Sequence, residues 1–142
     1  MPVVSAVYWG VAKAARDLVV ERLTESPKAA DGLVQRQVGL MDYLLCTSWW
    51  AMEGAVHDNG DDPEATAEAF SRVMLAKRSV TTQALEVVDT AMELAGGASF
   101  FKTLPLEQAF RDVRGAKYHP FTPELTLVHA GRLALGQPAD DM

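Results

Sequence analysis

The apolar residues of this chain recur with the spacing of α-helices over most of its length. Between residues 33 and 57, and again between residues 70 and 94, they lie three, four or seven positions apart. An α-helix turns once in 3.6 residues, so this spacing places the apolar side chains on one face. No segment shows the alternation of a β-strand; even residues 80–83 lie inside a continuing helical period. The sequence therefore predicts an all-α fold.

Turn and capping residues divide this pattern into separate helices. A first helix is expected over residues 3–23 and a second over residues 33–57, joined by a loop rich in turn residues. Asp62 followed by Pro63 is a typical N-cap and first-turn pair, which predicts a third helix from there to Ala95. The residues expected to face the core are Val34, Val38, Met41, Leu45, Met52 and Val56 in the second helix, and Phe70, Val73, Val80, Ala84, Val87, Ala91 and Leu94 in the third.

Two shorter helices complete the chain. A fourth is expected from Pro105 to residues 115–117, and a fifth opens at the Thr122 cap and ends at Gly136. Short connections between helices are typical of antiparallel neighbours. The predicted architecture is an up-and-down helical bundle that forms one domain over residues 1–142.

The fourth helix carries an Arg-Asp-x-Arg sequence. Val113 belongs to its apolar face, which leaves Arg111 and Arg114 together on a flank. An arginine at that point is expected to hold the carbonyl groups left open after Gly96 and Gly97, where the third helix ends.

Composition excludes several kinds of function. Thirteen basic and nineteen acidic residues give a formal charge of -6, which argues against nucleic acid as a partner. The single cysteine, Cys46, excludes a disulfide framework and a thiolate zinc site, and a cytoplasmic location is expected. The apolar run over residues 2–12 is too short to cross a bilayer, so no membrane insertion is expected. It has no capping residue before it, and we expect the chain to be a domain of a longer protein.

Few side chains have the spacing of a catalytic or metal site. Glu53 and His57 lie four apart, but a di-iron site needs two Glu-x-x-His pairs, so a solvated helix face is expected and no metal is predicted. Lys77 interrupts the apolar seam, and its ammonium group is expected to reach a helix end or a cleft. His119 lies between a helix end and the next cap, where it serves either as a base near neutral pH or as a cap for carbonyl groups of the fourth helix.

Four short motifs carry a resemblance to a known family. Gly-x-Ala-x-x-Ala occupies residues 10–15, Ala-Lys occupies residues 76–77, and Glu-Leu-Ala-Gly-Gly at residues 93–97 precedes Arg-Asp-x-Arg at residues 111–114. In this order and spacing they resemble the C-terminal helical domain of the acyl-CoA dehydrogenase family of flavoproteins. The resemblance covers nearly the whole chain.

The resemblance implies an enzyme of fatty acid metabolism that binds FAD and oxidises CH–CH groups of acyl-CoA thioesters. Family members place FAD partly between subunits, so self-association or assembly with a related subunit is expected. By position, Glu93 falls where the family commonly has a flavin-contacting glutamine, and Gly97 where backbone approaches the flavin of a neighbouring subunit. Thr122 matches a threonine beside the cofactor, and Glu124 matches a polar neighbour of it.

Differences from the family bear on the chemistry. Pro120 stands where many members keep the glutamate that removes the α-proton, and proline cannot act as a base. Some members carry that glutamate on the first helix of this domain instead, in a segment that would precede this chain. The family's Arg-x-x-Phe-Gly flavin motif is replaced by the shorter loop over residues 24–32.

Two other functions therefore stay open. Flavin-dependent monooxygenases of the same fold use a histidine in this region, and His119 lies one residue before the aligned glutamate position. Alternatively, the chain is a non-catalytic subunit that assembles with a partner. We expect the chain by itself to be inactive, because the flavin requires surfaces from further domains.

Overall fold

The computed structural model describes residues 2–60 and 64–138, and these ranges contain five α-helices. They are α1 (Pro2–Thr24), α2 (Gly32–Asn59), α3 (Ala67–Ala95), α4 (Leu106–Arg114) and α5 (Pro123–Ala134). Short 3-10 helices occupy the connections at Pro27–Ala30, Gly96–Phe100 and Gly115–Tyr118. The described residues contain no β-strand, which confirms the all-α prediction. None of the described helices has the length and apolarity needed to cross a membrane.

The central element is α3, which packs against each of the other four α-helices. Contacts at successive levels show that α2 runs antiparallel to both of its neighbours: Trp9 with Leu45 and Arg16 with Asp42 on the α1 side, and Thr47 with Gln83 and Gln37 with Glu93 on the α3 side. Together α4 and α5 return along α3, pairing Arg114 with Asp89, Pro123 with Arg78 and His129 with Phe70. The bundle is therefore up-and-down, as expected.

The apolar core lies where α1, α2, α3 and α4 meet. Small side chains on α1, among them Ala12 and Ala15, allow the helix backbones to approach closely, and the core members contributed by α3 lie in its second half. The buried members are Ala12, Ala15, Val19, Leu23, Met41, Leu44, Leu45, Ala84, Leu85, Val87, Val88, Ala91, Leu104, Leu106 and Val113. Five of the expected core positions of α2 and α3 belong to this cluster: Met41, Leu45, Ala84, Val87 and Ala91.

The predicted start of the third helix is wrong. The helix α3 begins at Ala67, and residues 64–66 before it are not helical. Thr66 is the N-cap, and its hydroxyl accepts a hydrogen bond from the backbone N–H of Ala69 at 3.1 Å. Asp62 and Pro63, the expected cap and first residue, lie outside the described residues. Thr66, four residues after the predicted cap, is therefore the N-cap of α3.

Two residues assigned to the buried seams are exposed. Val56 is 51% exposed and Phe70 is 41% exposed. Each lies within a turn of a helix end, where fewer helices surround a side chain than at mid-bundle. The helical period predicts the face on which a residue lies, but not how far the neighbouring helices extend.

Arg111 does not bind the carbonyl groups at the end of α3. Its side chain is 63% exposed, and its Nε atom lies 2.9 Å from Glu107 Oε1, one turn earlier on α4. The carbonyl group of Gly96 instead accepts a hydrogen bond from the Ser99 hydroxyl at 2.7 Å. A nearby hydroxyl therefore satisfies the carbonyl that the arginine was expected to hold. Val113 is fully buried, as the spacing predicts.

Candidate functional site

The half-buried imidazole of His119, which follows the 3-10 turn after α4, contacts Tyr8 of α1. His119 Nε2 and Tyr8 Oη are 2.7 Å apart, and the two ring centroids are 5.5 Å apart. The Nδ1 atom of the imidazole has no hydrogen-bond partner within the described part of the chain. One ring nitrogen thus contacts a hydroxyl, and the other has no partner among the described residues. In the structure the imidazole contacts Tyr8 and does not cap the carbonyl groups of α4.

A glycine leaves the space that the Tyr8 hydroxyl occupies. A Cβ atom on Gly115 would lie 3.0 Å from Tyr8 Oη, closer than carbon and oxygen normally approach. The backbone of Gly115 has φ -56° and ψ -27°, which any residue adopts in a helix. An added Cβ would therefore press on the Tyr8 hydroxyl, whereas the backbone conformation at Gly115 does not call for a glycine.

The ammonium group of Lys77 binds the backbone that carries His119. Lys77 Nζ lies 2.5 Å from the carbonyl oxygen of Pro120, 3.0 Å from that of Phe121 and 3.5 Å from that of His119. Lys77 is only 5% exposed, and burial lowers the pKa of its ammonium group. A buried ammonium needs hydrogen-bond acceptors, which the three carbonyl groups supply. The stem of Lys77 is buried as expected, and its ammonium group meets the loop that precedes α5 rather than an open cleft.

The backbone is irregular from residue 119 to residue 122, and the segment from 119 to 123 has few N–H donors. Two of its residues, Pro120 and Pro123, have no N–H, and Phe121 has φ +58°, which costs roughly 1–2 kcal/mol for a residue other than glycine. Every carbonyl group in the segment nevertheless accepts a hydrogen bond, from Lys77 for residues 119–121, from the Thr126 N–H for Thr122 and from Arg78 Nε for Pro123. These bonds offset the strain and hold the segment in one conformation.

The segment leads directly into α5, where two more of the expected site residues lie. The Thr122 hydroxyl accepts a hydrogen bond from the backbone N–H of Leu125 at 3.4 Å, as an N-cap does. The Glu124 carboxylate is 84% exposed, and its Oε1 atom lies 3.8 Å from Arg78 Nη2. His119, Thr122 and Glu124 therefore form one group beside the first half of α3.

Glu93 and Gly97 lie elsewhere, at the C-terminal end of α3. Glu93 follows Lys77 by sixteen residues (93 − 77) on the same helix, and these residues span about 24 Å at 1.5 Å per residue. Its carboxylate is exposed, with Oε2 3.4 Å from Gln37 Nε2. The structure thus separates the expected cofactor residues into two groups that cannot both touch one flavin ring within a single chain.

Both groups have features that suit a flavin. At Gly97 no protein atom lies within 4 Å of the place a Cβ would take, and φ is not positive, so neither packing nor conformation within the chain requires a glycine. A flat ring is free to approach that backbone closely. The N-terminus of α5 and the Arg78 guanidinium form a positive environment, which the Glu124 carboxylate shares. The carboxylates of Glu93 and Glu124 fit the N–H and hydroxyl donors of a flavin better than its phosphates.

Glu53 and His57, the pair weighed against a di-iron site, lie near the end of α2. Both are exposed, and they border an apolar groove of about 860 Å³ between the start of α1 and the end of α2. Within residues 2–60 and 64–138 there is no group of three or more His, Cys, Asp or Glu side chains that could hold a metal ion.

The sequence analysis missed three residues near His119 and its loop, namely Tyr8, Gly115 and Arg78. Two signals pointed toward the segment: a lysine within an apolar seam, and two prolines within four residues. The partner of the imidazole had no such signal, because a tyrosine on the first helix has many possible neighbours.

Residues 3–124 match the family described as acyl-CoA dehydrogenase, C-terminal domain. The chain belongs to this family. It is 36% identical over 124 residues to the putative acyl-CoA dehydrogenase YdbM of Bacillus subtilis (strain 168), which covers 82% of this chain and 32% of that protein. It is 30% identical over 140 residues to the amino sugar nitrososynthase DnmZ of Streptomyces peucetius, covering 92% of this chain and 34% of that protein.

Solved structures share the fold of this acyl-CoA dehydrogenase domain. The X-ray structure of KijD3 in complex with FMN and dTDP-3-amino-2,3,6-trideoxy-4-keto-3-methyl-D-glucose superposes with a TM-score of 0.86 at 27% identity, covering 98% of this chain and 36% of KijD3. The crystal structure of 3-HSA hydroxylase from Rhodococcus sp. RHA1 also gives a TM-score of 0.86, at 22% identity, covering 96% of this chain and 37% of the hydroxylase. The chain spans about a third of the length of the relatives it matches.

Membership of the family confirms the resemblance inferred from the motifs, and it associates the chain with flavin-dependent oxidoreductases. The relatives differ in their reactions, since one is named as a dehydrogenase and another as a nitrososynthase. The roles of His119, Glu93, Gly97, Thr122 and Glu124 stay predictions.

Proposed function

We propose that this chain is the helical domain of a flavin-dependent monooxygenase, in which the imidazole of His119 faces the reacting end of the flavin. The observation that carries the proposal is the hydrogen bond of 2.7 Å between His119 Nε2 and Tyr8 Oη, next to a proline at the family's base position. A carboxylate that removes an α-proton is missing there, whereas a positioned imidazole is present.

The nitrososynthase relatives support the same choice. Converting an amine to a nitroso group adds oxygen to nitrogen, so DnmZ, at 30% identity, is named for an oxygen transfer. KijD3 holds FMN together with an amino sugar nucleotide on the same fold. An amine carried on a sugar nucleotide is accordingly the first substrate class to test. FAD is the flavin expected from the family, and both FAD and FMN belong in the test.

Each residue then has a definite task. A bound flavin supplies the electrons that activate molecular oxygen. The Tyr8 hydroxyl holds His119 Nε2, which leaves Nδ1 to give or take a proton at the substrate or the flavin. The Thr122 cap orients the start of α5 toward the cofactor, and Glu124 accepts hydrogen bonds from its donors. At the other end of α3, Glu93 and the backbone of Gly97 contact a flavin.

The distance between the two groups supports a flavin site shared between subunits. About 24 Å along α3 separates Glu93 from Lys77 at the usual helical rise. One chain then contributes His119 and Thr122 to its own flavin, and Gly97 to the flavin of a second chain. Self-association, as expected from the family, accounts for both groups at once.

Acyl-CoA dehydrogenation is the second candidate, because YdbM at 36% identity is named as a putative acyl-CoA dehydrogenase. That reaction requires a carboxylate base from a part of the protein other than Pro120 and its neighbours. His119 would then have no part in proton removal.

A comparison of two half-reactions separates these functions in the whole protein. We expect flavin reduced by a nicotinamide to consume oxygen in the presence of an amino sugar nucleotide, and His119→Ala to slow this turnover while flavin stays bound. Glu53→Ala, in the distant groove, is the matched control. If acyl-CoA instead reduced the flavin without oxygen, at the same rate in both variants, the chain would be a dehydrogenase domain.

A further inference from the structure

We propose that Lys77 is a positioning residue, whose ammonium group shapes the backbone of residues 119–121 and thereby holds the imidazole of His119 against Tyr8. Lys77 reaches only carbonyl oxygens of this segment, so it acts through the backbone. Its effect on turnover rests on the proposed function of His119. Its effect on the conformation of the segment does not.

Three successive carbonyl groups converge on one ammonium nitrogen, at 2.5, 3.0 and 3.5 Å. In a strand successive carbonyl groups point to opposite sides, and in a helix they bond to later N–H groups, so neither regular structure gives this arrangement. The backbone of Phe121 turns through φ +58° to produce it. A strained turn of this kind persists only where its surroundings impose it.

No other donor in the described residues meets the carbonyl groups of Pro120 and Phe121. Pro120 and Pro123 have no N–H to donate, and no backbone N–H of the described residues reaches the carbonyl groups of Pro120 and Phe121. Without the ammonium group these carbonyls would lose their only donor among the described residues, and the segment would turn them toward water. The imidazole of His119 would move with its backbone.

The next residue provides a matched control. Arg78 also donates to this segment, but its Nε atom binds the carbonyl oxygen of Pro123, beyond the turn at Phe121. Arg78→Met therefore removes a donor from the same helix and the same loop without touching the carbonyls that carry His119. Only Lys77 is therefore expected to determine the position and the tautomer of the His119 imidazole.

The first test uses the unmodified chain and NMR of its lysine ammonium groups. The Lys77 ammonium protons are expected to exchange with water about tenfold or more slowly than those of the exposed Lys102 and Lys117, since exchange requires the segment to open. They should also show magnetisation transfer to residues 120 and 121. Exchange as fast as at Lys102 would overturn the proposal without any variant.

The second test follows the imidazole nitrogens of His119 in variants of the full chain. Lys77→Met keeps the aliphatic stem and removes the donors, and we expect the single tautomer of the unmodified chain to become a mixture. Lys77→Ala leaves a gap shaped for propylammonium, which should restore the single tautomer, whereas tetramethylammonium, with no N–H, should not. Arg78→Met should leave the tautomer unchanged. A single tautomer in Lys77→Met would overturn the proposal even if stability fell.

Turnover of the whole protein separates this proposal from the proposed function. Lys77→Met should lower kcat by about tenfold to a hundredfold with flavin still bound, as a displaced catalytic group does. If the tautomer changed and kcat did not, Lys77 would position the segment and His119 would not be catalytic. If neither changed, the positioning role itself would be wrong.

Discussion

Tyr8 and His119 are 111 residues apart in the chain, and their side chains meet through a hydrogen bond of 2.7 Å. The tyrosine lies on α1 and the histidine lies between α4 and α5, so only the packed bundle brings them together. Gly115 leaves space for the hydroxyl, and Lys77 binds the carbonyl groups of the loop that carries His119. Substitutions at Tyr8, Gly115 and Lys77 therefore each test the contact.

Removing the Tyr8 hydroxyl tests the contact most directly. Tyr8→Phe keeps the ring and leaves His119 Nε2 without its partner, so we expect the free energy of unfolding to fall by about 1 kcal/mol. The imidazole nitrogens should report a mixture of tautomers. Urea unfolding and nitrogen NMR measure the two effects. Tyr43→Phe, at a position 62% exposed, should change neither.

Gly115→Ala tests whether the glycine serves space alone. Alanine favours a helix by up to about 1 kcal/mol over glycine, but its Cβ would lie 3.0 Å from Tyr8 Oη. We expect Gly115→Ala to destabilise the unmodified chain and to be neutral or stabilising in the Tyr8→Phe background. A double-mutant cycle from urea unfolding measures this coupling. Equal effects in both backgrounds would show that Gly115 has another role.

Gly97→Ala tests the proposed approach of the flavin to the backbone. Neither packing nor conformation within the chain opposes the added methyl group, so the free energy of unfolding should stay equal or rise slightly. Flavin affinity of the whole protein, measured by fluorescence titration, should fall. Gly54→Ala, equally open on α2, is the control and should leave flavin affinity unchanged. Equal affinities for the two variants would place the flavin away from Gly97.

A buried charge tests the helical phase. Val87 is fully buried, and Val87→Asp should lower the free energy of unfolding by about 4 kcal/mol or more, because the carboxylate has no partner in the core. Val56 was assigned to a seam by the same spacing but is 51% exposed. Val56→Asp should change stability by only about 0.5 kcal/mol. Thermal unfolding measures the stability of both variants. Similar losses of stability would show that Val56 is buried and that the position of α2 is wrong.

The chain alone should be helical but should not turn over substrate. Tight flavin binding needs many anchoring groups to offset the entropy lost on association, and the chain spans about a third of its relatives. Circular dichroism, flavin content and oxygen uptake of the purified chain measure these properties. Stoichiometric flavin together with turnover would contradict the expectation.

The sequence by itself determined the local structure. The period of 3.6 residues predicts α1 and α2 to within two residues at each end, and Thr122 marks the start of α5. These features depend on neighbours along the chain, so one sequence is enough to predict them. The interrupted seam at Lys77 likewise predicted a buried stem, although it did not predict which groups the ammonium would meet. The predicted start of α3 was wrong because the sequence contains two possible capping residues, Asp62 and Thr66, four positions apart.

Only the tertiary structure decided which side chains share a site. It joins Tyr8 to His119, gives Lys77 its carbonyl partners, and separates Glu93 from Thr122 along α3. It also directs Arg111 toward Glu107 rather than toward the end of α3. Hydrophobic burial, which drives the helices together, depends on apolar area and carries little information about which polar groups will meet. Those pairs depend on the relative rotation and offset of packed helices. The apolar spacing within a single helix predicts neither the rotation nor the offset.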